Sequence, residues 1–113
     1  QVEVAADDPA FEEPGKPVGE FYTDDQLPTL KQQHPDWILK SDANRGWRRV
    51  VPSPKPKKIL EKAAVSALIA DGFNVVTVGG GGIPVVNVND DLKGVDAVID
   101  KDYATALLAA GIG

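Results

Sequence analysis

The chain contains no cysteine and no methionine, and only one histidine, two tryptophans, two tyrosines and three phenylalanines among its 113 residues. Without cysteine, neither a disulfide nor a thiolate metal site can form, which fits a cytoplasmic protein. No apolar run approaches the roughly 18 residues that a membrane span requires, and the first residues do not read as a signal peptide. Excess positive charge is also missing. The formal net charge is -5 and the pI about 4.7, against the basic balance of a general nucleic-acid binder. The basic clusters, Arg45 to Arg49 and Lys55 to Lys62, read as solvated faces. His34, between Gln33 and Pro35, has no partner pattern and reads as a surface residue. What remains is ordinary globular material, 42% hydrophobic and 26% charged. Its length suits one domain with a modest core.

Gln1 to Ala5 alternates polar and apolar residues, the period of a strand. Asp7 to Gly19 carries three prolines and two glycines and reads as a loop or excursion. Thr23-Asp24-Asp25-Gln26 has the form of a capping box, with Pro28 in the first helical stretch. Trp37 to Lys40 and Trp47 to Val51 read as two short strands joined by a turn over Ser41 to Gly46. Pro52 to Pro56 is stiff and extended. A helix is predicted from about Lys57 to Asp71, with Leu60, Ala64, Ala67 and Leu68 on one face and Gly72 as its stop. Phe73 to Val78 is nearly all apolar and predicts a strand buried on both faces. Ile83 to Val88 and Val95 to Ile99 read as further strands around a hairpin-like turn at Asn89 to Gly94. Asp102 to Ala110 reads as a helix capped by Asp100. The order is that of an α/β domain. Both ends look cut rather than finished.

Four consecutive glycines, Gly79, Gly80, Gly81 and Gly82, follow the apolar run directly. Such a sequence brings bare N–H groups to a strand end, where an anion can approach closely. The spacing is neither a dinucleotide fingerprint nor a Walker loop. A tight turn alone is a weak explanation, because four glycines cost considerable chain entropy. Asp100-Lys101-Asp102 sits where a strand hands over to a helix, the place where open α/β sheets bind ligands. A cap plus a surface ion pair would explain these three residues about as well. Lys16, in Pro14-Gly15-Lys16-Pro17, reads as a lysine on a stiff exposed loop. Arg45, Arg48 and Arg49 flank Trp47, and alternation puts Arg48 on the opposite face from Trp47 and Arg49.

Five stretches together resemble the carbamate kinases of the amino-acid kinase superfamily. They are Asp8 to Phe11; Lys16 to Gly19 with Phe21-Tyr22; Arg45 to Pro56; Gly79 to Val85; and Gly94 to Asp102. They occur in the family's order and cover nearly the whole chain. The resemblance implies an αβα three-layer sandwich, here partial, with a protruding irregular subdomain. Residues 1–6 would be a sheet strand of the kinase core, 7–51 the protruding lid and 52–113 the central part of the core. It implies reversible phosphoryl transfer between ATP and carbamate, with carbamoyl phosphate and ADP giving ATP, and with magnesium as cofactor. It also implies small-molecule substrates, a homodimer in the cytoplasm, and no nucleic acid or membrane partner.

By the same resemblance, Lys16 reaches the transferred phosphate from the lid. Asp102 orients catalytic lysines, and Lys101 belongs to the same signature. Gly79 to Gly82 and Asp100 line the substrate or phosphate site, with no protein-held metal. Three positions depart from the family pattern. Leu107 stands where some members carry lysine, Gly15 where threonine is common and Glu20 where proline is common. The family's N-terminal strand with its first glycine loop and its C-terminal nucleotide lobe are absent, so the chain alone is expected to be inactive. The alternative is a non-catalytic module that keeps the glycine loop and binds a small anion or a partner protein.

Overall fold

The computed structural model describes all residues, 1–113. Alternation at the start gives β1 (Val2–Val4), whose two valines point into the core. It lies inside a four-stranded mixed sheet with β5 (Pro56–Ile59), β6 (Pro84–Val88) and β7 (Asp91–Gly94), in the order β5-β1-β6-β7. β1 and β6 run parallel, with Val2 opposite Pro84. The outer strands are antiparallel to their neighbours. The turn between β6 and β7 places Asn89 and Asp90 at positive φ, 53° and 67°. Short polar side chains tolerate that conformation best after glycine.

The last helix, α3 (Lys101–Ile112), packs against β5. It buries Ala104 and Leu108 with Val2, Val4, Ile59, Val86 and Ile99 in one apolar cluster. Leu107 lies against the edge of that cluster, an apolar role in place of a lysine.

The excursion between β1 and β5 builds a second sheet from β2 (Lys16–Tyr22), β3 (Ile38–Asp42) and β4 (Gly46–Val51), with β4 in the middle. A short helix, α1 (Leu27–Gln33), follows a 3-10 turn. The predicted capping box of Thr23 and Gln26 forms at the start of that turn. Trp47 Nε1–H donates to Asp24 Oδ1 at 2.6 Å, tying the turn to the sheet.

Several expectations are corrected. Lys16 does not sit on a loop but opens β2, paired with Val51. Residues 57–59 belong to β5 because pairing with β1 overrides their helical period, and the helix, α2 (Lys62–Ala70), starts later. α2 buries only Val65, and the predicted face of Ala64, Ala67 and Leu68 is open to solvent. Phe73 to Val78 forms no ladder. Of its backbone groups only the Phe73 N–H and the Thr77 and Val78 carbonyls are hydrogen-bonded. A strand sequence needs neighbours on both sides, and no strand of this chain lies beside it. Val95 to Ile99 likewise makes only single bonds, Val95 N–H to the Pro84 carbonyl and Val98 N–H to the Pro52 carbonyl. His34 does have a partner: it stacks on Trp37, with ring centroids 3.9 Å apart.

Candidate active site

Asp100 is the hinge of the site. As N-cap of α3 its Oδ1 accepts from the Asp102 N–H at 2.9 Å and the Tyr103 N–H at 3.3 Å. This satisfies orphan donors at the positive end of the helix. Its other oxygen, Oδ2, accepts from Lys16 Nζ at 3.2 Å. The ammonium of Lys16 and the two amides hold the Asp100 carboxyl below its ordinary value. One carboxylate thus joins the small sheet to the start of a core helix, across 84 residues of sequence. Glu13, Ser53 and Tyr103 complete an open cleft of about 340 Å³ around the pair.

The glycine turn abuts the same handover from the other side. Gly81 has φ +132°, and a Cβ there would overlap the carbonyl oxygen of Ile99, the residue before Asp100. At Gly82 a Cβ would come within 2.6 Å of Val2 Cγ2 in β1. Gly79 and Gly81 use their N–H groups in local turns to Thr77 and Val78. The N–H groups of Gly80 and Gly82 have no partner within the chain, and both residues are exposed. Val78, leading into the turn, carries φ 71°, a costly conformation for a β-branched residue and one that clusters at functional sites.

Of the residues singled out in the sequence, Lys16 and Asp100 are brought together, with the glycine turn beside the segment that carries Asp100. Lys101 and Asp102 are not part of that contact. They pair with each other at 3.7 Å, and both side chains are largely exposed. Ser53, Glu13 and Tyr103 were missed as lining residues. Ser53 falls within the arginine-to-proline stretch, but nothing in its type marked it, and Glu13 looked like any loop carboxylate. No group of three or more acidic or histidine side chains is placed to hold a metal ion.

Two expected outcomes follow from this geometry. Gly81→Ala meets both backbone overlap and a left-handed φ and should cost more than about 3 kcal/mol of stability. Gly80→Ala meets open space and should change stability by less than about 1 kcal/mol. Chemical denaturation of the two variants checks the contrast. The second concerns pH. Because the folded-state pKa of Asp100 is depressed, its contribution is present above the ordinary aspartate value of about 3.9. It is lost as pH falls through the lower folded value. Melting temperatures of the native chain and Asp100→Asn should therefore differ at pH 6 and converge under strong acid.

No family model matches the chain. Curated relatives do. It is 55% identical to the carbamate kinase-like protein YahI of Escherichia coli (strain K12) over 99% of its length. It is 51% identical to a carbamate kinase of Lentilactobacillus hilgardii over 100%. Among solved structures, a carbamate kinase from Giardia lamblia bound to citric acid superposes with a TM-score of 0.89 at 48% identity, over 99% of the chain. The same Giardia enzyme bound to AMP-PNP superposes with a TM-score of 0.80. The chain spans only 36% of the length of these two curated relatives.

Proposed function

We propose that this chain, homologous along its whole length to about a third of a carbamate kinase, supplies the lid lysine and an oxyanion cradle for phosphoryl transfer between carbamoyl phosphate and ADP. The observation that carries the proposal is the Lys16–Asp100 contact at 3.2 Å, set beside a glycine turn with two unpartnered N–H groups.

Phosphoryl transfer asks little covalent chemistry of a protein. It needs the reacting oxygens held in line and their charge countered. The N–H groups of Gly80 and Gly82 are donors that a carbamoyl or phosphate oxygen can reach, because no Cβ stands in the way. Lys16, released from Asp100 by a competing phosphate, brings one positive charge to the transferred group. Asp100 holds that lysine in place until the anion arrives. Lys101 and Asp102 lie at the rim, at the positive end of α3, where a substrate-induced movement would have to bring them in. We read residues 7–51 as the lid that carries Lys16, and 1–6 with 52–113 as part of the kinase core.

Magnesium and the nucleotide are what the kinase reading adds. We read magnesium as arriving with the nucleotide phosphates, whose oxygens are the hard ligands it prefers. ATP formation requires further parts of a kinase, because the chain spans 36% of its relatives. The test is a segment exchange: residues 1–113 replace the matching stretch of the Lentilactobacillus carbamate kinase. ATP formation from carbamoyl phosphate and ADP-Mg is then assayed. The chimera should be active and the isolated chain inactive. A well-folded chimera that makes no ATP while the parent does would sink the proposal and favour a binding module.

A further inference from the structure

A second cluster of charge lies on the small sheet, in a cleft that shares Gly15 and Pro17 with the first but is lined by neither Lys16 nor Asp100. Lys40 in β3 stands directly opposite Arg48 in β4. Like charges in directly opposed positions repel and weaken a ladder. Neither is neutralised within the chain. Lys40 forms no ion pair, and Arg48 donates only its Nε–H, to the Gly19 carbonyl at 3.0 Å. A third cation, Arg45, reaches Asp42 Oδ2 at 3.5 Å. Asp42 is the only acidic residue of the open cleft, about 460 Å³, that Lys40, Arg45 and Arg48 line together. The cleft therefore holds three cations against one anion.

The guanidinium groups are also held in position. Those of Arg48 and Arg45 lie over the ring of Phe21, 4.9 and 5.6 Å from its centroid. Stacking of this kind orients a guanidinium plane and leaves its outer N–H groups free. Lysine on an edge strand such as β3 commonly discourages sheet-to-sheet pairing. That purpose needs no arginine opposite it and no second guanidinium turned to the same ring.

We infer that Lys40, Arg45 and Arg48 form a second anion site, on the small sheet, for a small ligand that carries at least two negative charges on oxygen. A guanidinium fork accepts two oxygens of such a ligand and the Lys40 ammonium a third. Occupancy cancels the repulsion across the β3–β4 ladder, so the anion stabilises the small sheet by binding only its folded form.

The experiment uses the 113-residue chain carrying Lys16→Ala, which removes the lysine of the first cleft and makes the outcome independent of the phosphoryl-transfer reading. Inorganic phosphate and citrate are titrated separately at constant ionic strength, and the Arg48 Nε–H resonance is followed by NMR. A saturable shift is expected. Saturation by phosphate alone identifies a phosphate-type ligand, and saturation by citrate alone a polycarboxylate. Lys40→Gln removes no ion pair within the chain and should weaken binding about tenfold. Without anion, Lys40→Gln should raise the melting temperature, and saturating anion should reverse that order. A linear, unsaturating shift with both anions, or unchanged affinity in Lys40→Gln, overturns the inference.

Discussion

Lys16→Ala, introduced into a carbamate kinase that carries this segment, is expected to lower ATP formation by about 10²–10³-fold, the usual effect of deleting one preorganised group that meets transition-state charge. The reason lies in where the lysine is kept. Its ammonium is half-buried and held 3.2 Å from Asp100, on the first residue of a strand rather than on a free loop. Under the proposed function it therefore starts from a restrained position, and less conformational entropy would be lost on reaching a phosphate than from a free loop. The loss should fall mainly on kcat, because the charge that Lys16 meets is largest in the transition state. Lys16→Arg should recover only part of the rate, since a planar fork replaces a compact point charge. Steady-state kinetics of both variants, with circular dichroism to show that they fold, decides the matter. Full activity in Lys16→Ala would remove this lysine from the mechanism.

In solution the isolated chain is expected to self-associate. Its radius of gyration is 17.2 Å, where a compact domain of this length has about 13 Å. Its accessible surface is 7727 Å², against about 6,000 Å² for a compact monomer of equal mass. The surplus, about 1,700 Å², is about twice the roughly 800 Å² that one partner contributes to a standard protein interface. The exposed surface includes large apolar side chains. Val76 is 99% exposed, Ile83 64% and Phe73 57%, on or next to a segment whose backbone groups are largely unpaired. Apolar surface of that kind beside free strand edges promotes association. Light scattering should give a mass above 12.0 kDa that rises with concentration, and Val76→Lys with Ile83→Lys should reduce it. A cooperatively melting monomer across the micromolar range would refute this expectation.

Which elements could be read from the sequence follows from which forces are local. The β3–β4 hairpin, the Thr23–Gln26 capping box and the Asp100 cap rest on neighbouring residues, and all are present; β1 also forms, because the distant strands it needs, β5 and β6, lie within this chain. Phe73 to Val78 and Val95 to Ile99 depend on strands elsewhere, so their composition announced a sheet that this chain does not build. Residues 57–59 show the reverse case, where a long-range partner, β1, overrides a helical period. β2 was hidden because its start lies in the Pro- and Gly-rich stretch that reads as loop, although Pro17 is tolerated on this edge strand opposite Val50. In the candidate site, residue types pointed to Lys16, Asp100 and the glycines. Only the fold shows that Lys16 meets Asp100 rather than Asp102, and that two of the four glycine N–H groups are already engaged in turns.

The Lys16–Asp100 contact also makes the site self-competing. Under the proposed function, any anion that recruits Lys16 competes with the carboxylate 3.2 Å from its ammonium, so Asp100 would act as a tethered competitor and set the weakest ligand the lysine would leave it for. Reciprocity then applies. An anion that frees Lys16 loosens the bond between the small sheet and α3, and anything that pulls the sheet away from α3 raises the affinity of Lys16 for an anion by the same factor. Opening of the small sheet and capture of the ligand are, in this arrangement, two readings of one equilibrium.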